Sequence, residues 1–385
     1  MFYKIITFGC QMNISDSERI TTVLEKMKYQ PTLDENKANL ILINCCSVKQ
    51  KAIDRIFGQE KNFAKLKKKN PSLIIALTGC ILKKDKKKFK NKVDLIFDIR
   101  ELSQLKSILL SFQTKSDSPS NKVKESLNPF GKINSANYFH IKPSYSNKTI
   151  AYVPIMTGCN NFCSYCIVPY TRGREISRSS EEILKEIKNL IKKERKEIIL
   201  LGQNVNSYKS NVKCQMSNVK TTSKKSKFIN FPSLLKMINE ISGDFKISFM
   251  TSHPKDMSNE LINTMAKCEK IKKELHLPVQ SGDNEILKKM NRKYTVKNYL
   301  NLVQKIRKKI PKIFISTDII VGFPGETKKQ FENTVKLCKK IKFNKAFISQ
   351  YSPRAETVAF KLKNDVSKEE KKKRWKILNE IINKN

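Results

Sequence analysis

Three closely spaced cysteines constrain this sequence more than any other feature. Cys159, Cys163 and Cys166, the loop cysteines, are separated by three residues and then by two. Soft thiolate ligands favour an iron–sulfur cluster or zinc. A zinc knuckle or incidental thiols are the alternative, but structural zinc sites usually have four ligands, and no histidine or fourth cysteine lies nearby. We therefore expect a 4Fe-4S cluster here, with one iron left open for a small molecule.

Length and composition describe a globular chain without a membrane span. Its 385 residues suggest two or three domains, each long enough to bury a core. No apolar run approaches the ~18 residues that cross a bilayer, and the start of the chain lacks the anatomy of a signal peptide. We expect a cytoplasmic protein with no membrane partner. Its ten cysteines are then ligands or buried thiols rather than disulfides.

The net charge points to a polyanionic partner. Lysine and arginine together number 77 against 35 acidic residues, which gives a formal charge of +42. Such a charge attracts nucleic acid strongly. The alternative is a codon bias across the genome, because 11 of these residues are arginine and the other 66 (77 − 11) are lysine.

Three of the scarce arginines stand together just after the loop cysteines. Arg172, Arg174 and Arg178 fall within seven residues. Arginine offers planar, bidentate recognition of phosphate that lysine cannot give. We predict that these three side chains bind the substrate, the alternative being the solvated start of a helix.

The first 112 residues predict an open parallel α/β sheet. Short apolar runs alternate with longer amphipathic stretches, a pattern typical of strands joined by crossover helices. The predicted strands are Phe2–Phe8, Asn39–Asn44, Ser72–Thr78 and Asp94–Phe97. Cys10, Cys46 and Cys80, the strand-end cysteines, follow the first three strands. Because the carboxyl ends of parallel strands meet at one sheet edge, these cysteines predict a second three-thiolate cluster, the alternative being thiols that cap a buried edge.

The remaining chain predicts a linker and a second α/β domain. Residues 113–148 are rich in Ser, Asn, Lys and Pro and read as an interdomain linker, whose Phe130 and Tyr138-Phe139 should dock on a neighbouring domain. Residues 149–385 alternate six strands with helices, which suits a partial (β/α)6 barrel with the loop cysteines at its carboxyl mouth. The predicted strands are Ala151–Met156, Glu197–Leu201, Lys246–Phe249, Leu275–Pro278, Phe314–Ile320 and Ala346–Tyr351. A final helix, Ser367–Asn385, should lie on the barrel.

Several motifs together resemble the methylthiotransferases of the radical S-adenosylmethionine (SAM) superfamily. Tyr165 completes the CxxxCxΦC pattern of that superfamily, and the resemblance covers nearly the whole chain. The matching segments are Gly9–Asn13, Asn44–Val48, Thr78–Cys80, Gly158–Arg178, Leu200–Tyr208, Thr251–Met257, Leu275–Gly282, Lys288–Thr295, Asp318–Thr327 and Tyr351–Arg354.

The resemblance implies two 4Fe-4S clusters with different tasks. The loop cysteines would hold the cluster that binds and cleaves SAM, and the strand-end cysteines would hold an auxiliary cluster that supplies sulfur. A second SAM would donate the methyl group. The cofactors carry this chemistry, so no side chain is predicted as catalytic. Polar strand-end turns facing the loop cysteines suggest SAM contacts by Gln203, Asn204, Gln280 and Ser281.

Two cysteines compete for one position of the auxiliary set. Cys45 and Cys46 are adjacent, and neighbouring side chains of a strand point to opposite faces, so only one should reach the cluster. The family signature in Asn44–Val48 selects Cys46, with Cys45 replacing a threonine.

The acceptor implied by the resemblance is a tRNA base. Gly9–Asn13 and Ser252–Met257 favour the branch that methylthiolates C2 of N(6)-dimethylallyladenosine next to the anticodon. The same chemistry on threonylcarbamoyl-adenosine or on an aspartate of a ribosomal protein is the nearer alternative, and an RNA-binding iron–sulfur protein without catalysis is the other. We expect a monomer that receives electrons from a reductant such as flavodoxin or ferredoxin. The family usually adds a basic TRAM barrel after the last helix, which this sequence is expected to lack.

The charge predicts salt-sensitive binding of tRNA. Lysine and arginine contacts to phosphate release counterions, so affinity should fall steeply between low and physiological salt. Filter binding or fluorescence anisotropy with the apoprotein measures this. An affinity that barely changes over that range contradicts the charge argument.

Overall fold

The computed structural model describes residues 1–47, 50–113, 124–125, 136–211 and 228–384. The chain forms two compact units: unit 1 comprises Met1–Asn147 and Ile167–Ile176, and unit 2 comprises Lys148–Cys166 and Ser177–Asn385. Among the described residues, no helix is long and apolar enough to cross a membrane. Two residues lie outside the described ranges: Phe130, for which the sequence predicts docking, and Cys214, one of the ten cysteines.

Unit 1 is built on a parallel sheet, which confirms the predicted fold class. Its strands lie in the order β2-β1-β3-β4-β5-β6, and every pair is parallel. The strands are β1 (Phe2–Phe8), β2 (Gln30–Pro31), β3 (Leu40–Cys46), β4 (Ile74–Cys80), β5 (Leu95–Ile96) and β6 (Lys124–Glu125). The helices are α1 (Gln11–Lys26), α2 (Gln50–Gly58), α3 (Glu60–Lys69), α4 (Lys83–Phe89), α5 (Leu105–Gln113), α6 (Ala136–Phe139) and α7 (Val168–Thr171).

The central strands are covered on both faces, which explains their continuous apolar sequence. All seven residues of β3 and all seven of β4 are buried. Leu40 and Leu42 pack with α1 on one face, whereas Ile41 and Ile43 pack with α2 and α3 on the other. A strand buried on both faces needs apolar side chains at successive positions rather than at alternate ones.

Part of the predicted linker belongs to unit 1. Tyr138 and Phe139 are buried in its core beside Leu102 and Leu105, which confirms their predicted docking. The unit accordingly extends to Asn147 instead of ending at residue 112. These two aromatic rings pack in the core of unit 1, although the linker sequence around them is polar.

Unit 2 contains the six predicted barrel strands. They form two parallel three-stranded sheets, β13-β10-β7 and β14-β15-β16. A parallel bridge also pairs Ile247 of β13 with Ile271, which lies shortly before β14. The strands of this part of the chain are β7 (Ile150–Pro154), β8 (Met156–Thr157), β9 (Ile176–Ser177), β10 (Glu197–Leu201), β11 (Lys209–Asn211), β12 (Phe228–Asn230), β13 (Lys246–Phe249), β14 (Glu274–His276), β15 (Phe314–Val321) and β16 (Lys345–Gln350). The helices are α8 (Ser180–Lys192), α9 (Phe231–Asn239), α10 (Asn259–Lys267), α11 (Asn284–Lys289), α12 (Val296–Lys309), α13 (Lys328–Ile341) and α14 (Lys368–Asn383).

The last helix lies on the barrel as predicted, and it also carries one member of a buried ion pair. Leu378 and Ile382 are buried, and Trp375 donates its indole N–H to the carbonyl of Ile348 at 3.0 Å. Arg374 is also buried and contacts the carboxylate of Glu326 at 2.8 Å. The apolar periodicity predicted the helix, whereas the buried arginine was not expected from it.

We expect Arg374→Ala to destabilise unit 2 by about 3–5 kcal/mol, because it leaves the Glu326 carboxylate buried and uncompensated. Urea unfolding followed by the fluorescence of Trp375, the single tryptophan, measures the change. Lys372→Ala, on the exposed side of the same helix, is the matched control and should stay within about 0.5 kcal/mol. Equal midpoints for the two variants would contradict this role of the pair.

Candidate functional site

The structure brings the strand-end cysteines together. Cys46 and Cys80 are the last residues of β3 and β4 and lie directly opposite each other in the parallel register. Cys10 precedes α1, immediately beyond β1. The thiols of Cys10 and Cys46 are hydrogen-bonded, as are those of Cys46 and Cys80. Cys45, in contrast, packs in the core on the face that contains Ile41 and Ile43. This geometry supports the choice of Cys46 over Cys45.

The electrostatics of the strand-end set favour thiolates at its two outer positions. The hydrogen bond with Cys46, aided by the charge of Arg172, lowers the pKa of Cys10 to about 6. The same two influences lower the pKa of Cys80. Hydrogen bonds to both neighbours raise the pKa of Cys46, which therefore acts as the shared donor. Since the thiolate is the form that ligates metal, the set is suited to a cluster.

A buried pair of amides fixes the Cys10 turn against β3. Asn13 donates to the side-chain oxygen of Asn44 at 3.0 Å, and Asn44 donates back to the carbonyl of Asn13 at 2.8 Å. The side chain of Asn13 also accepts the backbone N–H of Cys10 at 3.2 Å. Sequence reasoning included both asparagines in motifs without a role, and the structure assigns them to positioning of Cys10.

Gly79 allows β3 and β4 to approach at the site. Its φ is +112°, in the region that favours glycine. A Cβ at this position would lie 2.2 Å from the backbone oxygen of Cys45. The glycine before Cys80 is therefore required by the close approach of the two strand ends.

The loop cysteines are held by the segment that follows α11. Cys159 is buried, and Cys163 and Cys166 are partly exposed. Ser164 donates its backbone N–H to Met290 at 3.1 Å, and Asn291 donates its amide to the carbonyl of Phe162 at 2.8 Å. These bonds fix a loop in which Phe162 itself has a positive φ of 48°.

Arg292 is a site residue that sequence reasoning missed. It is 8% exposed, and its Nη1 lies 3.4 Å from the sulfur of Cys163. Its other nitrogens donate to the carbonyl of Pro278 and to the hydroxyl of Tyr294, both at 2.8 Å. The sequence did contain a signal for this residue, because arginine is scarce in the chain. Arg292 is one of 11 arginines and lies in the matching segment Lys288–Thr295.

Side-chain oxygens suited to a ligand follow β10 and β13. Within the described part of unit 2, four buried oxygens of this region lack a hydrogen-bond partner, those of Gln203, Asn204, Asn206 and Ser252. Asn204 is held by its amide, which donates to Asp256 at 2.7 Å. Buried acceptors without donors are costly unless a ligand satisfies them. An ammonium group and ribose hydroxyls, both present in SAM, fit these acceptors.

The two predicted SAM contacts after β14, Gln280 and Ser281, differ in their hydrogen bonds. Gln280 has a positive φ of 70°, and its backbone bonds with Asp318 and Ile320 continue the sheet. Ser281 is fully buried, and its hydroxyl is engaged by Thr334 and by the N–H of Asp283. The Ser281 hydroxyl therefore supports this turn, and SAM contacts by Gln280 and Ser281 stay predictions.

Two of the three predicted substrate-binding arginines are buried in ion pairs. Arg172 contacts Asp16 at 2.6 Å and is 4% exposed. Arg178, 8% exposed, pairs with Glu186 and, at 3.4 Å, with Glu182. Arg174 is exposed. Buried guanidinium groups cannot meet phosphate without breaking these pairs, so the exposed Arg174 is the best placed of the three. Substrate binding by these arginines stays a prediction.

Both donor sets consist of cysteine thiols. Thiolates of this kind are the ligands that hold 4Fe-4S clusters. Across the described ranges, no three His, Cys, Asp or Glu side chains are grouped so that they could hold one metal ion. Iron ligation by all six cysteines remains a prediction.

The adjacent cysteines of β3 provide a matched test of ligation. After anaerobic reconstitution, we expect Cys46→Ala to lose the iron of one cluster, because its thiol joins Cys10 and Cys80. Cys45→Ala is the control and should retain the full iron content, since its thiol lies on the opposite face. Iron and sulfide analysis reads out both variants. The reverse pattern would overturn the assignment.

Two family models match the chain. Residues 153–338 match the radical SAM superfamily, and residues 3–98 match a family described as uncharacterized protein family UPF0004. Among solved structures, the radical SAM methyltransferase TsrM of Kitasatospora setae, with tryptophan and a SAM analogue bound, is similar with a TM-score of 0.63. The match covers 90% of this chain and 72% of TsrM at 11% identity, so it supports the fold alone.

Curated relatives match over almost the full length. The tRNA-2-methylthio-N(6)-dimethylallyladenosine synthase of Clostridium botulinum (strain Hall) is 43% identical over 99% of this chain and 81% of its own. The synthase of Carboxydothermus hydrogenoformans is also 43% identical, over 99% of this chain and 83% of its own. That of Thermoanaerobacter sp. (strain X514) is 41% identical over 100% of this chain and 78% of its own. With this identity and coverage, the chain belongs to the radical SAM methylthiotransferase family that includes these synthases.

Proposed function

We propose that this protein methylthiolates C2 of N(6)-dimethylallyladenosine next to the anticodon of tRNA, using two SAM molecules and two 4Fe-4S clusters. The observation that carries the proposal is the presence of two separate three-thiol sets, one in each compact unit. Cleavage of SAM requires only the loop cysteines. The strand-end set is the additional donor set that insertion of sulfur requires.

The cysteines and their neighbours have separable tasks. The loop cysteines would hold the SAM-cleaving cluster, and the strand-end cysteines would hold the auxiliary cluster. When bound, the two clusters supply one-electron reduction and sulfur. Arg292 keeps the Cys163 side chain oriented through its bonds to the sulfur and to Pro278.

The SAM contacts that we propose come from the strand-end loops of unit 2. The side-chain oxygens of Gln203, Asn204 and Ser252 are buried acceptors that would receive donors of SAM. Gln280 would contribute from the turn after β14. His253 stays neutral in this region, because burial lowers its pKa to about 2, and it thus adds no charge to repel the sulfonium.

Binding of tRNA rests on charge and on an accessible base. The chain carries a formal charge of +42, and Arg174 is exposed. A base in an anticodon loop can leave its stack and enter a pocket, which a base in a duplex cannot do without unpairing. We further propose that the protein acts as a monomer in the cytoplasm and that a flavodoxin or ferredoxin supplies its electrons.

Two triple variants separate the proposed tasks. Replacing the loop cysteines by alanine should abolish 5′-deoxyadenosine formation from SAM, whereas replacing the strand-end cysteines should leave it and abolish only methylthiolation. The assay uses anaerobically reconstituted protein, dithionite and tRNA that carries dimethylallyladenosine, with mass spectrometry of nucleosides.

The unmodified chain controls for reconstitution in this assay. Cleavage of SAM without any methylthio product on this tRNA, but with product on threonylcarbamoyl-adenosine tRNA or on a ribosomal protein, would assign the other acceptor. Absence of 5′-deoxyadenosine in a chain with both clusters would favour a non-catalytic RNA-binding protein.

A further inference from the structure

We propose that Arg172 is a positioning residue of the auxiliary site: its guanidinium orients the sulfur of Cys80 and sets the reduction potential of the cluster held by the strand-end cysteines. The inference rests on the proposed function, since it requires that those cysteines bind a cluster. It assigns to Arg172 a task other than substrate binding.

The contact with the ligand sulfur is direct. Nε of Arg172 lies 2.9 Å from the Sγ of Cys80. The side chain is 4% exposed, so solvent screens little of its charge. Hydrogen bonds to cysteine sulfurs and nearby charge are among the factors that set the potential of an iron–sulfur cluster. Arg172 supplies both at one ligand.

A buried carboxylate fixes the orientation of the guanidinium. Nη2 of Arg172 lies 2.6 Å from Oδ2 of Asp16, which is fully buried. The hydroxyl of Tyr138 donates to the other carboxylate oxygen at 2.5 Å. The guanidinium of Arg19 stacks over the Tyr138 ring, 5.0 Å from its centroid. These contacts orient the guanidinium so that Nε of Arg172 is directed at the sulfur of Cys80.

The free-energy cost of burying the Arg172–Asp16 ion pair favours a functional role for Arg172. Removing two charges from water often costs more than their attraction returns, so a buried ion pair is a poor device for stability alone. The chain contains 66 lysines (77 − 11), yet this position holds arginine. The planar guanidinium donates to the carboxylate and to the sulfur in a fixed geometry, which the flexible ammonium of lysine does not impose.

Two charges of opposite sign lie near Cys80, so the removal of each should shift the midpoint potential in the opposite direction. A reduced cluster carries one more negative charge, which a cation stabilises and an anion destabilises. We therefore expect Arg172→Gln to shift the midpoint potential to a more negative value and Asp16→Asn to shift it to a more positive one. Arg172→Lys, which keeps the charge, should shift it less than Arg172→Gln.

The experiment isolates the auxiliary cluster in the full chain. The loop cysteines are replaced by alanine, the protein is reconstituted anaerobically, and the potential is measured by redox titration with electron paramagnetic resonance. Arg55→Gln, an exposed arginine of the same unit, is the control for loss of one charge and should leave the potential unchanged. Release of iron to a chelator should become about tenfold faster in Arg172→Gln.

The double variant Arg172→Gln with Asp16→Asn guards against unfolding, because it removes both charges of the buried pair together. It should still shift the potential to a more negative value, since the arginine contacts the sulfur and the aspartate does not. Equal potentials for Arg172→Gln and Arg55→Gln, or shifts of the same sign for Arg172→Gln and Asp16→Asn, would overturn the inference. Failure of the background chain itself to bind a cluster would instead defeat the proposed function.

Discussion

The parallel register of β3 and β4 is the constraint on which the strand-end site depends. It places Cys46 opposite Cys80, while the alternation of the strand sends Cys45 into the core. The amide pair of Asn13 and Asn44 then fixes the Cys10 turn to the same edge. A slip by one residue would exchange Cys45 and Cys46 and destroy the set.

A buried arginine contacts one sulfur in each set of cysteines. Arg172 bonds to Cys80, and Arg292 lies beside Cys163. Each guanidinium is also tied to oxygen atoms of its own unit, the carboxylate of Asp16 or the carbonyl of Pro278. A cation reduces the repulsion among three thiolates that must share one small volume. A buried arginine beside a cysteine sulfur therefore occurs at both sites, although the two units differ in fold.

The local sequence pattern predicted the helices, the strands and the two sets of cysteines. It did not predict the partners of the charged residues. The strand ends predicted the convergence of the strand-end set, because parallel topology alone brings them to one edge. The role of Arg172 could not be inferred in this way, since its partner Asp16 is 156 residues distant in sequence. Similarly, the polar turn at Ser281 suggested a ligand contact, whereas its hydroxyl is taken by Thr334 of α13. Such pairings depend on tertiary packing, which periodicity does not encode.

The interpretation of both cysteine sets depends on addition of sulfur to a tRNA base by this chain. Nucleoside analysis by mass spectrometry, on tRNA from a strain that lacks the gene, measures this activity. We expect loss of methylthio-dimethylallyladenosine with accumulation of dimethylallyladenosine, and restoration by the unmodified gene but not by a copy without the strand-end cysteines. An unchanged level of the methylthio nucleoside in the deletion strain would contradict it.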